Sequence, residues 1–447
     1  MDTGVVLPRK QANYTCRVRC RFSLDERYCL SMQRYKGQQY SQLYFYRLHT
    51  IRQNLLSRVQ ERWPSLPVCK ILGLEEGQLC VVVGTLYKQM QLKPSILEEY
   101  SKERSVVPLA TPSKFTHNDD YLIMEDESGR VKLIRDANLP SFYVTGVVVA
   151  VCGKEEKDGE FFVQEILEPG LPPQIPLPSA VSFDEEKFVV FASGLKIGGE
   201  STNPLELQLL LDHLTGHLGE EEEQSLSSQI VRVVIAGGSV DLQTSLSNGQ
   251  PLSGKEQTKL VEPIRELDLA LTQLAAAMPV DIMPGPNDPA NYSLPQQPLH
   301  RCLFPGASLY NTFVSATNPH QFELDGALFL GTSGQNIEDL EKYSEAEERL
   351  DFMERTLVWR HLAPTAPDTL GCYPFTDRDP FILDMCPHVY FCGNQPSYAS
   401  RLLKGPSGQQ VRLICIPSFQ ETSSVVLVSL KTWDSHILTF SANSFQP

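Results

Sequence analysis

Four residues in the C-terminal half could take part in metal-dependent chemistry: Asp241, Asp288, His320 and His388. Carboxylates and imidazoles hold two cations about 3.5 to 4 Å apart in hydrolases, so that a bridging hydroxide can attack a phosphodiester. These residues therefore define one hypothesis, an active metal-dependent phosphodiesterase or nuclease. The hypothesis requires the four side chains to converge, which depends on the elements that carry them.

The C-terminal half has the pattern of an α/β core. Residues 187–192 and 231–236 are unbroken apolar runs that end in glycines, as strands buried on both faces do. Residues 205–218 and 258–278 have helical periodicity. The alternation predicts a layered α/β sheet, and loops at the strand ends of such sheets usually carry the chemistry. Residues 283–291, MPGPNDPAN, are one candidate loop.

The N-terminal half has a different pattern. Residues 38–62 predict one amphipathic helix. Five short β-like runs follow within about a hundred residues, which indicates a small OB-type barrel, although a fragment of a β-sandwich has a similar pattern. The predicted strands cover residues 80–86, 121–125, 131–134, 144–152 and 161–166. Residues 168–180 contain five prolines and predict a connector between domains.

The charge and the apolar runs exclude several classes of protein. The 447 residues carry a formal net charge of -15, which opposes tight, non-specific DNA binding by this chain alone. The sequence has no apolar run of membrane-spanning length, and residues 1–14 lack the apolar core of a secretory signal. We therefore expect an intracellular protein. No basic cluster longer than Arg9-Lys10 offers an import signal, so any nuclear import would occur in complex with partners.

The cysteines and histidines form no evident metal site. Eleven scattered cysteines predict reduced thiols, and neither Cys16/Cys20 nor Cys386/Cys392 has the spacing of a zinc or iron-sulfur motif. His213 and His217 lie four apart on a predicted helix, as zinc ligands do, but a solvated helix face is the favoured interpretation because no HExxH motif accompanies them. Residues 220–223, four glutamates, predict a solvent loop.

The predicted barrel offers a weak case for DNA binding. Arg130, Lys132 and Arg135 form a small basic cluster on a predicted hairpin, and a solvated β-face is the favoured interpretation. Barrels that bind single strands combine basic grooves with stacking aromatic side chains, and several of the aromatic residues near these strands should be core. We therefore expect at most weak contact with DNA, within a larger assembly.

The strand-end loops resemble the motifs of calcineurin-like metallophosphoesterases, in a degenerate form. Residues 191–198, FASGLKIG, resemble the first motif, SDxHxG, with Gly194 in place of the aspartate and Lys196 in place of the histidine. Residues 234–241, VIAGGSVD, resemble GDxxD, with Gly238 in place of the metal-bridging aspartate.

Three further loops continue the resemblance. Residues 285–288, GPND, resemble GNHD, with Pro286 for the ligand asparagine, Asn287 for the catalytic histidine and Asp288 retained. Ser333 replaces the histidine of the fourth motif. Residues 393–396, GNQP, resemble GHxH, so that Asn394 and Pro396 replace the last two histidines.

These replacements disable the chemistry that the motifs support. Glycine and proline side chains offer no lone pairs to a metal, and the Lys196 ammonium would repel a cation. We hypothesise that Lys196 pairs with Asp288 or Asp241, so that its charge partly substitutes for a lost metal ion. The resemblance therefore implies no catalytic residue, no metal and no cofactor.

More specific motifs resemble the small (B) subunit family of eukaryotic DNA polymerase delta, whose members are inactivated calcineurin-like phosphoesterases. The resemblance runs from about residue 38 to 430. It is carried by GTLYKQMQLKPSIL (84–97), LPQQPLH (294–300), NPHQFELDG (318–326), APTAPDTLGCYPF (363–375) and CPHVYFCGN (386–394).

This resemblance implies an α/β + β architecture, in which an OB-type barrel joins a phosphoesterase-like α/β sandwich and an N-terminal helix. The expected divisions are 1–64, N-terminal helix; 65–167, OB domain; 168–180, connector; and 181–447, degenerate phosphoesterase-like domain. Family members are nuclear scaffolds for DNA replication and repair. They bind the cysteine-rich C-terminal tail of the polymerase delta catalytic subunit, recruit further accessory subunits through the OB side, and take part in the translesion polymerase zeta assembly.

Overall fold

The computed structural model describes residues 17–30, 37–94, 113–135, 139–177, 186–242 and 254–441, and the backbone alone for 254–260. Arg9, Lys10 and Cys16, the end of the 84–97 motif and residues 178–180 of the predicted connector lie outside these ranges. No helix in the described ranges has both the length and the apolar character needed to cross a bilayer.

The predicted N-terminal helix is present as α1, Ser41–Arg62. Its apolar residues at three- and four-residue spacing, including Leu48, Ile51 and Leu55, are buried against the strands that follow. The helix ends before Trp63-Pro64, because a residue before proline disfavours helical backbone angles.

The next elements form a closed β-barrel. The strands are β2 Val68–Cys69, β3 Leu79–Gln89, β4 Tyr121–Glu125, β5 Arg130–Ile134, β6 Val148–Glu155 and β7 Glu160–Leu167. A 3-10 turn, Ile71–Gly73, and a short helix, α2 Leu139–Phe142, connect them. The sheet order is β2-β3-β4-β5-β7-β6, and β6 pairs back with β3, which closes the barrel.

Four of the five predicted strands match the barrel within two or three residues at each end. The predicted strand 144–152 begins late, at Val148, because Thr145 and Gly146 form a turn. Gly146 has a φ of +93°, and a Cβ atom there would overlap the Pro364 carbonyl group, so this turn requires glycine.

The rest of the chain forms two six-stranded sheets. The first sheet has the order β11-β10-β9-β8-β17-β18, and the second has the order β1-β12-β13-β14-β16-β15. The strands of the first sheet are β8 Phe188–Ala192, β9 Ile230–Ala236, β10 Val280–Met283, β11 Phe313–Ser315, β17 Ser424–Ser429 and β18 Ser435–Thr439. Those of the second sheet are β1 Phe22–Leu24, β12 His320–Leu324, β13 Ala327–Thr332, β14 Val389–Gln395, β15 Ala399–Lys404 and β16 Gln410–Pro417.

Helices cover the outer faces of both sheets. The remaining helices are α3 Pro204–Thr215, α4 Glu221–Gln229, α5 Gly254–Ala277, α6 Gln335–Tyr343, α7 Arg349–Val358 and α8 Phe419–Thr422, with 3-10 turns at Arg301–Leu303 and Ala307–Leu309. Helices α3 and α5 pack on the first sheet, and α6 and α7 pack on the second. Aromatic and aliphatic side chains of both sheets, such as Phe191, Phe329 and Phe391, fill the space between them. The predicted α/β core is therefore a four-layer arrangement.

The prediction of a solvent loop at residues 220–223 was wrong. Glu221–Glu223 form the first turn of α4, and the Glu223 carboxylate accepts a hydrogen bond from the Glu220 backbone N–H at 3.1 Å. Acidic side chains stabilise this end of a helix because its unpaired N–H groups carry partial positive charge.

The barrel and the second sheet share one apolar core, which includes Val82 and Leu122 from the barrel and Leu357 and Tyr390 from the α/β part. Strand β1 adds to the edge of the second sheet, although it precedes the barrel in sequence. The domain divisions stay a prediction.

Candidate functional site

The loops that carry the degenerate motifs meet at one edge of the two sheets. They follow β8, β9, β10, β13 and β14, and backbone hydrogen bonds join neighbours: Gly194 N–H donates to Gly237 O, and Lys196 N–H donates to Gly238 O, both at 2.9 Å. Parallel strands place their carboxyl ends at the same edge, so loops far apart in sequence converge. The structure therefore brings together the nine predicted positions.

A cleft of about 850 Å³ opens at this edge. Seven of the residues singled out in the sequence line it: Lys196, Gly238, Asp241, Pro286, Asn287, Asn394 and Pro396. Gly194, Asp288 and Ser333 lie just behind this lining, in contact with the same loops. The cleft lies at the carboxyl ends of the parallel strands, and its chemistry depends on the groups that these loops contribute.

Asp288, the retained carboxylate, points into the protein rather than into the cleft. It is buried and accepts hydrogen bonds from the backbone N–H groups of Gly285 at 2.7 Å, Gly238 and Ser239 at 2.9 Å, and Val240 at 3.1 Å. Burial raises the pKa of this carboxyl group, while the four N–H donors oppose that shift. Asp288 therefore fixes two loops to each other.

Asn394 occupies the centre of the site. Its side-chain amide donates to the carbonyl oxygens of Ala236 at 3.2 Å and Ser333 at 2.8 Å, and its backbone N–H donates to Ser193 Oγ at 2.8 Å. The backbone φ of Asn394 is +55°, a left-handed conformation that asparagine tolerates better than most residues. The side-chain amide of Asn394 thus joins the ends of β9 and β13, and its backbone N–H adds the end of β8.

A network of neutral amides extends from Ser333. Asn318 Nδ2 donates to Ser333 Oγ at 2.7 Å, to Gln296 Oε1 at 2.8 Å and to Gln335 Oε1 at 3.0 Å. Gln296 in turn donates to the Gly285 carbonyl at 2.9 Å. The sequence motifs LPQQPLH and NPHQFELDG contain Gln296 and Asn318, but residue type alone did not mark them as buried partners of the cleft loops.

Comparisons with known proteins find family models that match both the barrel and the α/β part. Residues 39–166 match the family model described as the DNA polymerase delta subunit OB-fold domain, and residues 189–400 match the family model for the B-subunit of DNA polymerase alpha/epsilon. The DNA polymerase delta small subunit of Arabidopsis thaliana is 61% identical over 99% of this chain and 98% of its own length. That of Saccharomyces cerevisiae is 34% identical over 89% of this chain and 88% of its own.

The chain belongs to the DNA polymerase delta small-subunit family. Its barrel is therefore an OB-fold domain, as the sequence predicted. More distant similarity reaches the DNA polymerase II small subunit of Methanothermobacter thermautotrophicus, which is 26% identical over 84% of this chain and 72% of its own length.

The hypothesis that Lys196 pairs with Asp288 or Asp241 was wrong. Lys196 Nζ lies 3.3 Å from Glu421 Oε1, and both side chains are partly exposed. Asp288 could not be the partner, because its two oxygens are directed at backbone N–H groups. Lys196 has a φ of +44°, so its backbone turns sharply where the first motif ends.

The alternative metal ligands do not converge. His320 Nε2 lies 3.1 Å from the buried Asp281 carboxylate, which also pairs with Arg232 between the two sheets. His388 Nδ1 accepts a hydrogen bond from the Leu328 backbone N–H at 2.9 Å, away from the cleft. Across the ranges that the structure describes, no three His, Cys, Asp or Glu residues are placed to hold a metal ion. This ligand set was therefore wrong.

The histidine pair on the predicted helix and the basic cluster on the barrel were the other candidates. His213 lies on α3 and packs against Phe440, whereas His217 lies beyond Gly216, which ends that helix, so the two histidines do not share a helix face. In the barrel, Lys132 pairs with Glu160 at 2.8 Å. The basic cluster therefore includes a salt bridge at the protein surface, consistent with the favoured interpretation.

Proposed function

We propose that this chain is a non-catalytic accessory subunit of DNA polymerase delta, built on a calcineurin-like phosphoesterase fold that has lost its metal ligands. The observation that carries the proposal is the contact between Asn394 and Gly238. The last-motif residue packs against the residue that replaces the bridging aspartate, so protein atoms occupy the space between two expected ligand positions. Neutral amides and glycines cannot generate a metal-bound hydroxide.

The surrounding architecture supports this proposal. The five degenerate motifs lie in order at the carboxyl ends of strands in two packed sheets, and the loops converge on one cleft. In the proposed division, residues 65–167 form the OB domain and 181–447 the inactive phosphoesterase domain, with residues 1–64 and 168–180 as N-terminal segment and connector. The degenerate positions are Gly194, Lys196, Gly238, Pro286, Asn287, Asp288, Ser333, Asn394 and Pro396.

The proposed role is to hold other proteins in the nucleus during DNA replication and repair. The primary partner is the cysteine-rich C-terminal tail of the polymerase delta catalytic subunit, and further accessory subunits bind on the OB side. In the same scaffold role, the chain also binds the polymerase zeta catalytic subunit. The net charge of -15 opposes binding to a phosphate backbone, so DNA contact in the assembly is weak.

The test is co-expression of the full chain with the C-terminal tail of the catalytic subunit from the same organism, followed by sizing chromatography with mass detection. We expect a stoichiometric one-to-one complex. A tail whose cysteines are all replaced by serine is the matched control and should not co-elute. Two separate, well-folded peaks with the intact tail would overturn the proposed partner.

A further inference from the structure

A second cavity lies elsewhere on the protein and shares no lining residue with the cleft. It has a volume of about 480 Å³, and its walls come from residues 173–177, the β15–β16 turn at 407–410, and the side chains of His388, Leu402 and Trp433. We call it the Trp433 slot. Its size lies within the range of cavities that bind small molecules or peptide side chains.

One wall of the slot is itself an extended, proline-containing segment. Residues 172–177, PPQIPL, have no helical or strand pairing. The segment is fixed to the α/β part by the Cys386 backbone N–H, which donates to Pro173 O at 2.7 Å, and by Gln409 Nε2, which donates to Pro172 O at 3.2 Å. A proline-containing, extended segment therefore forms one side of the slot.

Trp433 is held in an unfavourable backbone conformation beside the slot. Its φ is +62°, which is rare for a bulky side chain. The backbone is fixed from both sides, because its N–H donates to Ser429 O at 3.0 Å and its carbonyl accepts from Arg412 Nε at 2.6 Å. The indole ring stacks on His388, with ring centroids 6.1 Å apart. Such strain persists where surrounding contacts enforce it, and often marks a functional position.

Among the residues that the structure describes, those that line the slot carry no formal charge. None of its twelve lining residues is Asp, Glu, Lys or Arg, although 21% of the chain is charged. Burial lowers the pKa of His388. Both of its ring nitrogens are hydrogen-bonded: Nδ1 accepts from Leu328 N–H, and Nε2 donates to Ile175 O at 3.0 Å. A neutral wall offers nothing to neutralise a phosphate or a carboxylate, so it favours an uncharged ligand.

We propose that the Trp433 slot binds an extended, proline-containing segment of another protein. Aromatic-lined grooves recognise such segments because proline pre-orders the chain, which reduces the entropy lost on binding, and because its ring packs flat on an indole. Trp433 supplies the aromatic surface, Pro173, Pro176 and Leu402 supply the apolar walls, and the absence of charge selects a neutral ligand. This activity goes beyond the accessory role and does not depend on it.

The test is isothermal titration of the full chain with a decaproline peptide. We expect saturable one-to-one binding, and no binding of a Gly-Ser peptide of the same length. Trp433→Gly removes the indole while placing at φ +62° the residue that best tolerates it, so the fold should be retained and the affinity should fall at least tenfold. Leu309→Ala, at an exposed residue that does not line the slot, should bind normally.

A second variant protects the test against an effect on folding. Leu402→Glu places a charge in a neutral wall and should weaken decaproline binding while leaving the folded state intact, as judged by an unchanged circular dichroism spectrum. The proposal would be overturned by equal affinity for the decaproline and Gly-Ser peptides, by undiminished binding to Trp433→Gly, or by no heat of binding at millimolar decaproline.

Discussion

The side-chain oxygen of Asn394 packs against Gly238 so closely that a Cβ atom on residue 238 would overlap it. Gly238 also has a φ of +67°, which disfavours any other residue. We expect Gly238→Ala to lower the free energy of unfolding by about 3 kcal/mol, from strain and from the clash together. Urea denaturation measures this loss.

A matched control separates the two causes. Gly77 has a φ of +76° but open space around a Cβ atom, so Gly77→Ala should cost only the strain, about 1 kcal/mol. When Asn394→Gly is already present, Gly238→Ala should lower the free energy of unfolding by less, and the loss should approach that of Gly77→Ala. If the cost were the same with and without Asn394, the packing explanation would be incorrect.

Asp288 should contribute to stability and not to catalysis. Its replacement by alanine leaves four buried backbone N–H groups without their acceptor, so Asp288→Ala is expected to cost about 4 kcal/mol. Asp241→Ala, which removes a partly exposed carboxylate from the same cleft, should change stability by less than about 0.5 kcal/mol. Equal thermal shifts for the two variants would contradict this assignment.

The cleft should not hydrolyse phosphodiesters. We expect the purified chain with manganese and bis(4-nitrophenyl) phosphate to show no turnover above the rate of buffer and metal alone, because no three described His, Cys, Asp or Glu residues are grouped to hold a metal ion. Turnover that disappears in Asp241→Ala would show instead that the cleft is an active site.

Arg47 should be a major determinant of the junction between α1, the barrel and the α/β part. Its buried guanidinium pairs with Asp379 at 2.8 Å and donates to the carbonyl groups of Pro364 and Ala366. Arg47→Met leaves a buried carboxylate without its cation and should cost about 4 kcal/mol. Arg62→Met breaks a solvent-exposed pair with Glu165 and should cost less than about 1 kcal/mol. Chemical denaturation compares the two variants, and similar costs would contradict the prediction.

His361 should make the protein less stable in mild acid. Burial, reinforced by the nearby Arg47 charge, lowers the pKa of this imidazole from 6.5 to about 4 in the folded protein. Because this pKa is depressed in the folded protein, the stability that the neutral imidazole contributes is complete above pH 6.5. That contribution is lost as the pH falls toward 4, by about 3 kcal/mol in all. Asp379 also has a lowered pKa, so its own contribution is lost only at more acidic pH.

The measurement is the free energy of unfolding at pH 7.5 and at pH 5. His361→Gln, which cannot be protonated, should reduce the difference between the two values. His300→Gln, at an exposed histidine, should leave that difference unchanged. An unaltered pH dependence in His361→Gln would show that another group is responsible.

Local patterns determined most of the secondary structure. The periodicity of α1, five of the six barrel strands and the mainly apolar runs of β8 and β9 were readable from the sequence because each depends mainly on burial of one face or both. The exceptions have local physical causes: Gly146 delays β6, and three glutamates begin α4 instead of forming a loop. Motif order also indicated which loops would meet at the cleft.

The sequence alone thus determined the elements and the family resemblance, since these depend on residue type and spacing. Only the tertiary structure decided which groups meet at the cleft. The roles of Asn394, Asp288 and Lys196 depend mainly on partners 48 to 225 residues away in the chain, so no local pattern specifies them. The same holds for the Trp433 slot, whose walls come from four stretches of the chain, 173–177, 388, 402–410 and 433, that meet only when the sheets fold.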